Sequence, residues 1–125
     1  MKIKKALIVE DNPINMELVM EILTANGIIA DEAVNGEEAI EKVEKETYDL
    51  VLMDIELPGM DGVDATKLIK SKHKNLPILA LTSYAMKGDR ERFIAAGFDD
   101  YIAKPIDVNS FIEKINKFIH INNSE

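Results

Sequence analysis

The sequence predicts an α/β domain in which helices cover both faces of a five-stranded parallel sheet. Three observations carry this. Short apolar runs alternate with stretches of helical periodicity, and the alternation repeats five times. Apolar runs such as Leu50-Val51-Leu52-Met53 are continuous rather than alternating, which is the pattern of strands buried on both faces. The chain has 125 residues, 46% of them hydrophobic and 30% charged, enough for one domain with one sizeable core.

The elements follow in order. Residues 6–9 are an apolar run too short for a helix and rich in strand formers. A helix over 13–26 comes next, with Ile14, Leu18 and Ile22 spaced by four. Asn12 can cap it, Pro13 suits its first turn and Gly27 ends it. Residues 28–34 are the second strand, and 37–45 a helix with Ala39, Ile40 and Val43 on one face. Residues 50–54 form the third strand. A helix from about 61 to 74 follows, with Leu68 and Ile69 inward; Lys70, Lys72 and Lys74 in its last turn suit the negative end of the helix dipole. Pro77 leads into a fourth strand over 78–82. Residues 87–96 are a weakly amphipathic helix closed by Gly97, and 101–103 a short fifth strand. Asp107 can cap a last helix running to Ile121, on which Val108, Phe111, Ile112, Ile115, Phe118 and Ile119 form an apolar stripe. Right-handed crossovers leave few topologies, and the doubly wound, flavodoxin-like order 2-1-3-4-5 is favoured.

Several function classes are excluded or disfavoured. No apolar run approaches the ~20 residues needed to span a bilayer. The basic-then-apolar start, MKIKKALIVE, is too short for a signal sequence and is cut off by Glu10 and Asp11, so a cytoplasmic location is expected. The absence of cysteine rules out disulfides, zinc-thiolate sites and thiol catalysis. A net charge of −8 opposes nucleic-acid binding. There is no repeat, low-complexity tract or linker; residues 1–121 read as one domain and 122–125 as a flexible tail. His73 and His120 read as surface residues at helix ends.

In a doubly wound sheet, ligands bind at the C-terminal ends of the strands, near the switch in strand order. Here the first strand ends in Glu10-Asp11, the third in Asp54, the fourth in Thr82-Ser83 and the fifth near Lys104-Pro105. Taken singly, Asp11 could be a helix cap and Lys104 a surface lysine; it is their convergence that departs from the ordinary. Three carboxylates so close repel one another and raise their pKa values. A divalent cation relieves that repulsion, and an all-oxygen set selects a hard ion such as Mg²⁺. Cation, ammonium and hydroxyl together can offset a phosphoryl group, and a carboxylate held in line with it can act as nucleophile. The site therefore reads as phosphoryl transfer onto Asp54.

The stretches "LIVEDN", "DLVLMDIELPGMDG", "PILALTSYA" and "GFDDYIAKPI", with the spacings between them, resemble the receiver domains of two-component response regulators, the CheY-like fold. "VEDNPIN" and "SYAMKGD" resemble receivers of the DivK type and those attached to hybrid histidine kinases. The resemblance implies that Asp54 is the phosphorylated residue and that Asp11, Asp54 and the backbone carbonyl of Glu56 bind Mg²⁺, with Mn²⁺ as the alternative ion. Glu10 would hold the metal through water, Lys104 would bind the phosphoryl oxygens, and the bond from Lys104 to Pro105 would be cis. Thr82 would move toward the phosphoryl group and Tyr101 would follow it inward. Glu56 and Tyr84 would flank the path of a hydrolytic water.

The implied partners are a histidine kinase or histidine phosphotransfer protein, and a target protein bound through the fourth helix, fifth strand and fifth helix. No nucleic acid or membrane is implied. The expected state is a monomer, with a phosphorylation-dependent dimer as the alternative. The protein would be a phosphoacceptor regulator rather than an enzyme, catalysing only its own phosphorylation and dephosphorylation. With no room for an output domain after the last helix, a stand-alone regulator is expected, and a receiver cut from a hybrid kinase is the alternative. A flavodoxin would need a Ser/Thr/Gly-rich loop where Glu10-Asp11-Asn12-Pro13 stands. An aspartate-nucleophile phosphatase would need a second Asp where Glu56 stands.

Overall fold

The computed structural model describes residues 3–83 and 89–119. Its elements are β1 (Lys5–Val9), α1 (Pro13–Ala25), β2 (Ile29–Ala33), α2 (Gly36–Lys45), β3 (Leu50–Asp54), α3 (Gly62–Lys72), β4 (Ile78–Thr82), α4 (Asp89–Ala95), β5 (Asp100–Ala103) and α5 (Val108–Phe118). All strand pairs are parallel, in the order β2-β1-β3-β4-β5. The doubly wound α/β class and the strand order follow the sequence expectation. Residues 84–88, including Tyr84 and the predicted first residues of the fourth helix, and residues 120–125, including His120 and the predicted tail, lie outside the described residues.

Successive residues of a strand point to opposite faces, so each central strand feeds two cores. On one face Ala6, Ile8, Leu50, Leu52, Leu79 and Leu81 meet α1 and α5. On the other, Leu7, Val9, Val51, Met53, Ile78 and Ala80 meet α2, α3 and α4. β3 and β4 are buried at every residue, which is why they read as continuous apolar runs. β2 is an edge strand with one neighbour, and its Ile29, Asp31 and Glu32 remain at least partly exposed.

Helix starts are set by side-chain caps. Asn12 Oδ1 accepts the amides of Ile14 and Asn15, Asn35 that of Glu38, Asp61 that of Asp64 and Asp107 that of Ser110. α1 ends where Gly27 takes a φ of +79°, a conformation costly for residues with a Cβ.

The structure corrects several inward faces. Ile14 is 77% exposed and Leu18 also faces solvent; of that four-spaced trio only Ile22 is buried, and Met16, Val19 and Leu23 join it. A strict four-residue spacing drifts by about 40° per step around the helix, whereas the sheet requires alternating steps of three and four. In α3, Ile69 is buried but Leu68 is exposed, and Ala65 and Thr66 fill the inward face instead. In α5, Val108 is exposed while Phe111 and Ile115 anchor the stripe. His73 lies at the surface at the end of α3, as expected, and its Nε2 stands 3.3 Å from Glu44 Oε2 on α2. Among the described residues, no helix is long and apolar enough to cross a membrane.

Candidate functional site

Register brings the acids together. Val9 of β1 pairs with Met53 of β3, so Glu10 emerges beside Asp54. Asp54 pairs with Leu81, and Thr82 with Ala103, so Thr82 and Lys104 emerge at the same sheet end. Carboxylate oxygens of Glu10, Asp11 and Asp54 lie within 4.8 Å of one another. Glu10 and Asp54 are buried, each 2% exposed, while Asp11 faces solvent. Thr82 is fully buried.

Each side chain is held by its neighbours. Asp54 Oδ1 accepts the Glu56 amide at 2.8 Å, so the turn after β3 fixes its carboxylate. Lys104 Nζ donates to Asp54 Oδ2 at 3.1 Å. The same ammonium stands 3.0 Å from Glu10 Oε1, so one lysine forms an ion pair with both buried acids. Glu10 Oε2 accepts the Asn12 amide at 3.2 Å. Asn12 thus does double duty: its side chain caps α1 and its backbone steadies Glu10. Lys104 is placed by its own amide, which donates to the Thr82 carbonyl at 2.8 Å; the Lys104–Pro105 bond that follows is cis.

Electrostatics follow from this crowding. Burial pushes the Glu10 carboxyl above its ordinary value; Lys104 opposes the shift and Asp54 adds to it. Burial works against the Lys104 charge, but the facing Glu10 and Asp54 outweigh it and the ammonium is raised above its ordinary value. The donor set suits a metal ion. It is all oxygen and carries excess negative charge, three carboxylates against the one Lys104 ammonium that pairs with Glu10 and Asp54. Those properties suit a hard divalent cation.

The β3–α3 loop is pressed against this site. A methyl group on Gly62 would overlap the Asp54 carbonyl oxygen and lie 2.8 Å from Ile55 Cα, so only glycine lets α3 start this close to the strand end. Tyr101 lies farther off, on the edge strand. Its ring packs on Phe93 of α4 at 5.4 Å between centroids, and Lys114 of α5 stands 4.5 Å from the ring centre. The Asn12 backbone contact to Glu10 and the roles of Gly62 and Lys114 leave no signal in the sequence. "PGMDG" signals a tight turn but not which glycine touches Asp54, and no spacing joins Lys114 to Tyr101.

The response regulator receiver domain family matches residues 6–116. The polar-differentiation response regulator DivK of Brucella anthropi is 41% identical over 118 residues, covering 93% of this chain and 96% of that protein. The receiver domain of a sensor histidine kinase from Pseudomonas aeruginosa, crystallised with a magnesium ion coordinated in its active-site cleft, superposes with a TM-score of 0.86 at 35% identity, covering 94% of this chain and 98% of that one. A co-crystal structure from Saccharomyces cerevisiae, of the histidine phosphotransfer protein Ypd1 with the receiver domain of Ssk1, matches at TM-score 0.85 and 29% identity, covering 93% and 88%.

Proposed function

The chain belongs to the response regulator receiver domain family, and from that premise we propose that Asp54 accepts a phosphoryl group from a phosphohistidine. The donor is a histidine kinase or histidine phosphotransfer protein; the Ypd1 co-crystal supports that partner class. One observation carries the reading: a carboxylate 2% exposed, gripped by the Glu56 amide at 2.8 Å and the Lys104 ammonium at 3.1 Å, inside a cluster of three acids.

A carboxylate oxygen of Asp54 attacks phosphorus as the nitrogen–phosphorus bond of the donor breaks. The electron pair of that bond leaves on the donor imidazole, which takes a proton, and the aspartate becomes an acyl phosphate. The Glu56 amide restricts rotation of the nucleophile, so part of the ordering cost is met before the donor arrives. Lys104 exchanges its contact with Asp54 for the incoming phosphoryl oxygens. Asp11, Asp54 and the Glu56 carbonyl would hold Mg²⁺, with Glu10 acting through water; Mn²⁺ would also suit these ligands. When bound, the ion neutralises charge on the transferring group and on the acids around it.

Thr82, buried beside the site, then turns its hydroxyl toward the phosphoryl oxygens, and Tyr101 turns inward after it. The face of α4, β5 and α5 is remodelled and binds a target protein, the equilibrium shifting between two existing states. The receiver unit spans residues 1–121. The DivK likeness, over 96% of that protein's length, supports a stand-alone regulator, with a receiver of a hybrid kinase as the alternative; a cytoplasmic monomer is proposed, with a phosphorylation-dependent dimer as the alternative.

The test is intact mass after incubation with Mg²⁺ and acetyl phosphate. The protein should gain one base-labile phosphate, and Asp54→Asn should gain none. Equal labelling of that variant would move the acceptor elsewhere.

A further inference from the structure

We infer that Lys114 is a positioning residue that holds Tyr101 in its present place and so sets how readily the protein switches. This rests on the reading of Tyr101 as the switching aromatic.

β5 lies at the edge of the sheet, and Tyr101 sits in its middle. Such edges leave backbone groups without a strand partner. Here both backbone groups of Tyr101 are taken by side chains: its amide donates to Asp100 Oδ1 at 2.8 Å, and its carbonyl accepts from Lys114 Nζ at 2.6 Å. Lys114 belongs to α5, on the first face of the sheet, whereas the Tyr101 ring packs with α4 on the second. The lysine therefore reaches round the sheet edge. Its ammonium also bonds the buried Asp100 Oδ1 at 3.2 Å and stands 4.5 Å from the Tyr101 ring centre, within cation–π range. Arg90 of α4 approaches the same carboxylate oxygen at 3.6 Å. One cation thus touches the backbone and the ring of the same tyrosine and is anchored by a carboxylate that α4 also engages.

Turning the ring inward breaks the ring contact but leaves the carbonyl and carboxylate contacts in place. Lys114 then stabilises the resting position selectively, and a bias of that kind moves a two-state equilibrium. A partly exposed cation–π contact corresponds to roughly two- to fivefold in a population. Lys114→Met keeps the apolar stem and removes the charge. Lys114→Arg keeps the charge.

The experiment uses the full chain labelled with 3-fluorotyrosine. Its three tyrosines give three fluorine signals, and Tyr101→Phe assigns the relevant one. Spectra are recorded during titration with Mg²⁺ and beryllium trifluoride. Lys114→Met should raise the inward population of the free protein two- to fivefold and tighten the apparent beryllium trifluoride affinity by the same factor, since linkage is reciprocal. Lys114→Arg should restore values near those of the unmodified chain. A residue that only supported the fold would alter thermal stability without moving these two quantities together. If the unmodified Tyr101 signal ignores beryllium trifluoride, the switching role of Tyr101 is wrong and the inference falls with it. If that signal responds but Lys114→Met matches the unmodified chain, or Lys114→Arg behaves like Lys114→Met, the positioning role of Lys114 alone is overturned.

Discussion

Replacing Gly62 by alanine tests whether close approach of the β3–α3 loop is what positions Asp54. The added methyl would overlap the Asp54 carbonyl oxygen, lie 2.8 Å from Ile55 Cα and 3.1 Å from the Asp54 carbonyl carbon. All three are backbone atoms of the strand end, so no side chain can swing aside. Overpacking costs about 1–3 kcal/mol, and a clash with backbone on a fully buried strand belongs at the upper end, about 3 kcal/mol. Alanine in a helix returns about 1 kcal/mol of propensity, leaving a net loss of about 2 kcal/mol. With a urea dependence of about 2 kcal/mol/M for a chain of this size, the unfolding midpoint should fall by about 1 M. Gly36→Ala is the internal control. Its methyl would meet the Ala65 Cβ and the Met60 carbonyl oxygen at 3.1 Å, a tighter than normal but milder contact, so its loss should be smaller. Because the displaced atoms belong to Asp54 itself, Gly62→Ala should also slow labelling by acetyl phosphate in the population that stays folded. An unchanged or raised midpoint would show that the loop yields freely and that the close approach does not demand glycine.

Four further outcomes are expected. Mg²⁺ should raise the urea midpoint, by the equivalent of about 2.7 kcal/mol at a hundredfold excess over its dissociation constant; Asp11→Ala should remove most of that gain with the fold kept, and full labelling in excess chelator would count against a metal requirement. Amide exchange with and without beryllium trifluoride should change most in residues 82–105 and on the adjoining face of α5; changes confined to α1 would refute the proposed output face. Asp107 is held below its ordinary value by the Ser110 amide, so its contribution is present above the unfolded carboxylate range and is lost as pH falls through the lowered folded value; Asp107→Asn keeps a cap, so acid unfolding followed by circular dichroism should lose that part of its pH dependence and change little at pH 7. Thr66 is fully buried and its hydroxyl oxygen has no hydrogen-bond partner among the described residues, so Thr66→Val should raise stability by about 1 kcal/mol, read as a higher urea midpoint.

The class of fold, the order of its elements and the ends of its central strands are legible in the amino-acid order alone. β3 and β4 begin with their apolar runs and end one residue past them, at Asp54 and Thr82, because strands buried on both faces admit a polar residue only at the sheet end. Asn12 and Asp107 were legible as caps because capping is local chemistry. The strand-end positions of Glu10, Asp11, Asp54, Thr82 and Lys104 were legible because parallel topology sends every such end to one edge. Which helix face turns inward, and which neighbours hold each site residue, depends on packing between distant segments. Ile14, Leu18 and Leu68 are as apolar as the residues that replace them in the core, and only packing against the sheet separates the two sets. Lys104 lies 50 residues from Asp54, and the Lys114 ammonium meets Tyr101 by passing round a sheet edge. Such contacts depend on strand order and register, which place distant residues side by side without leaving a periodic trace in the chain.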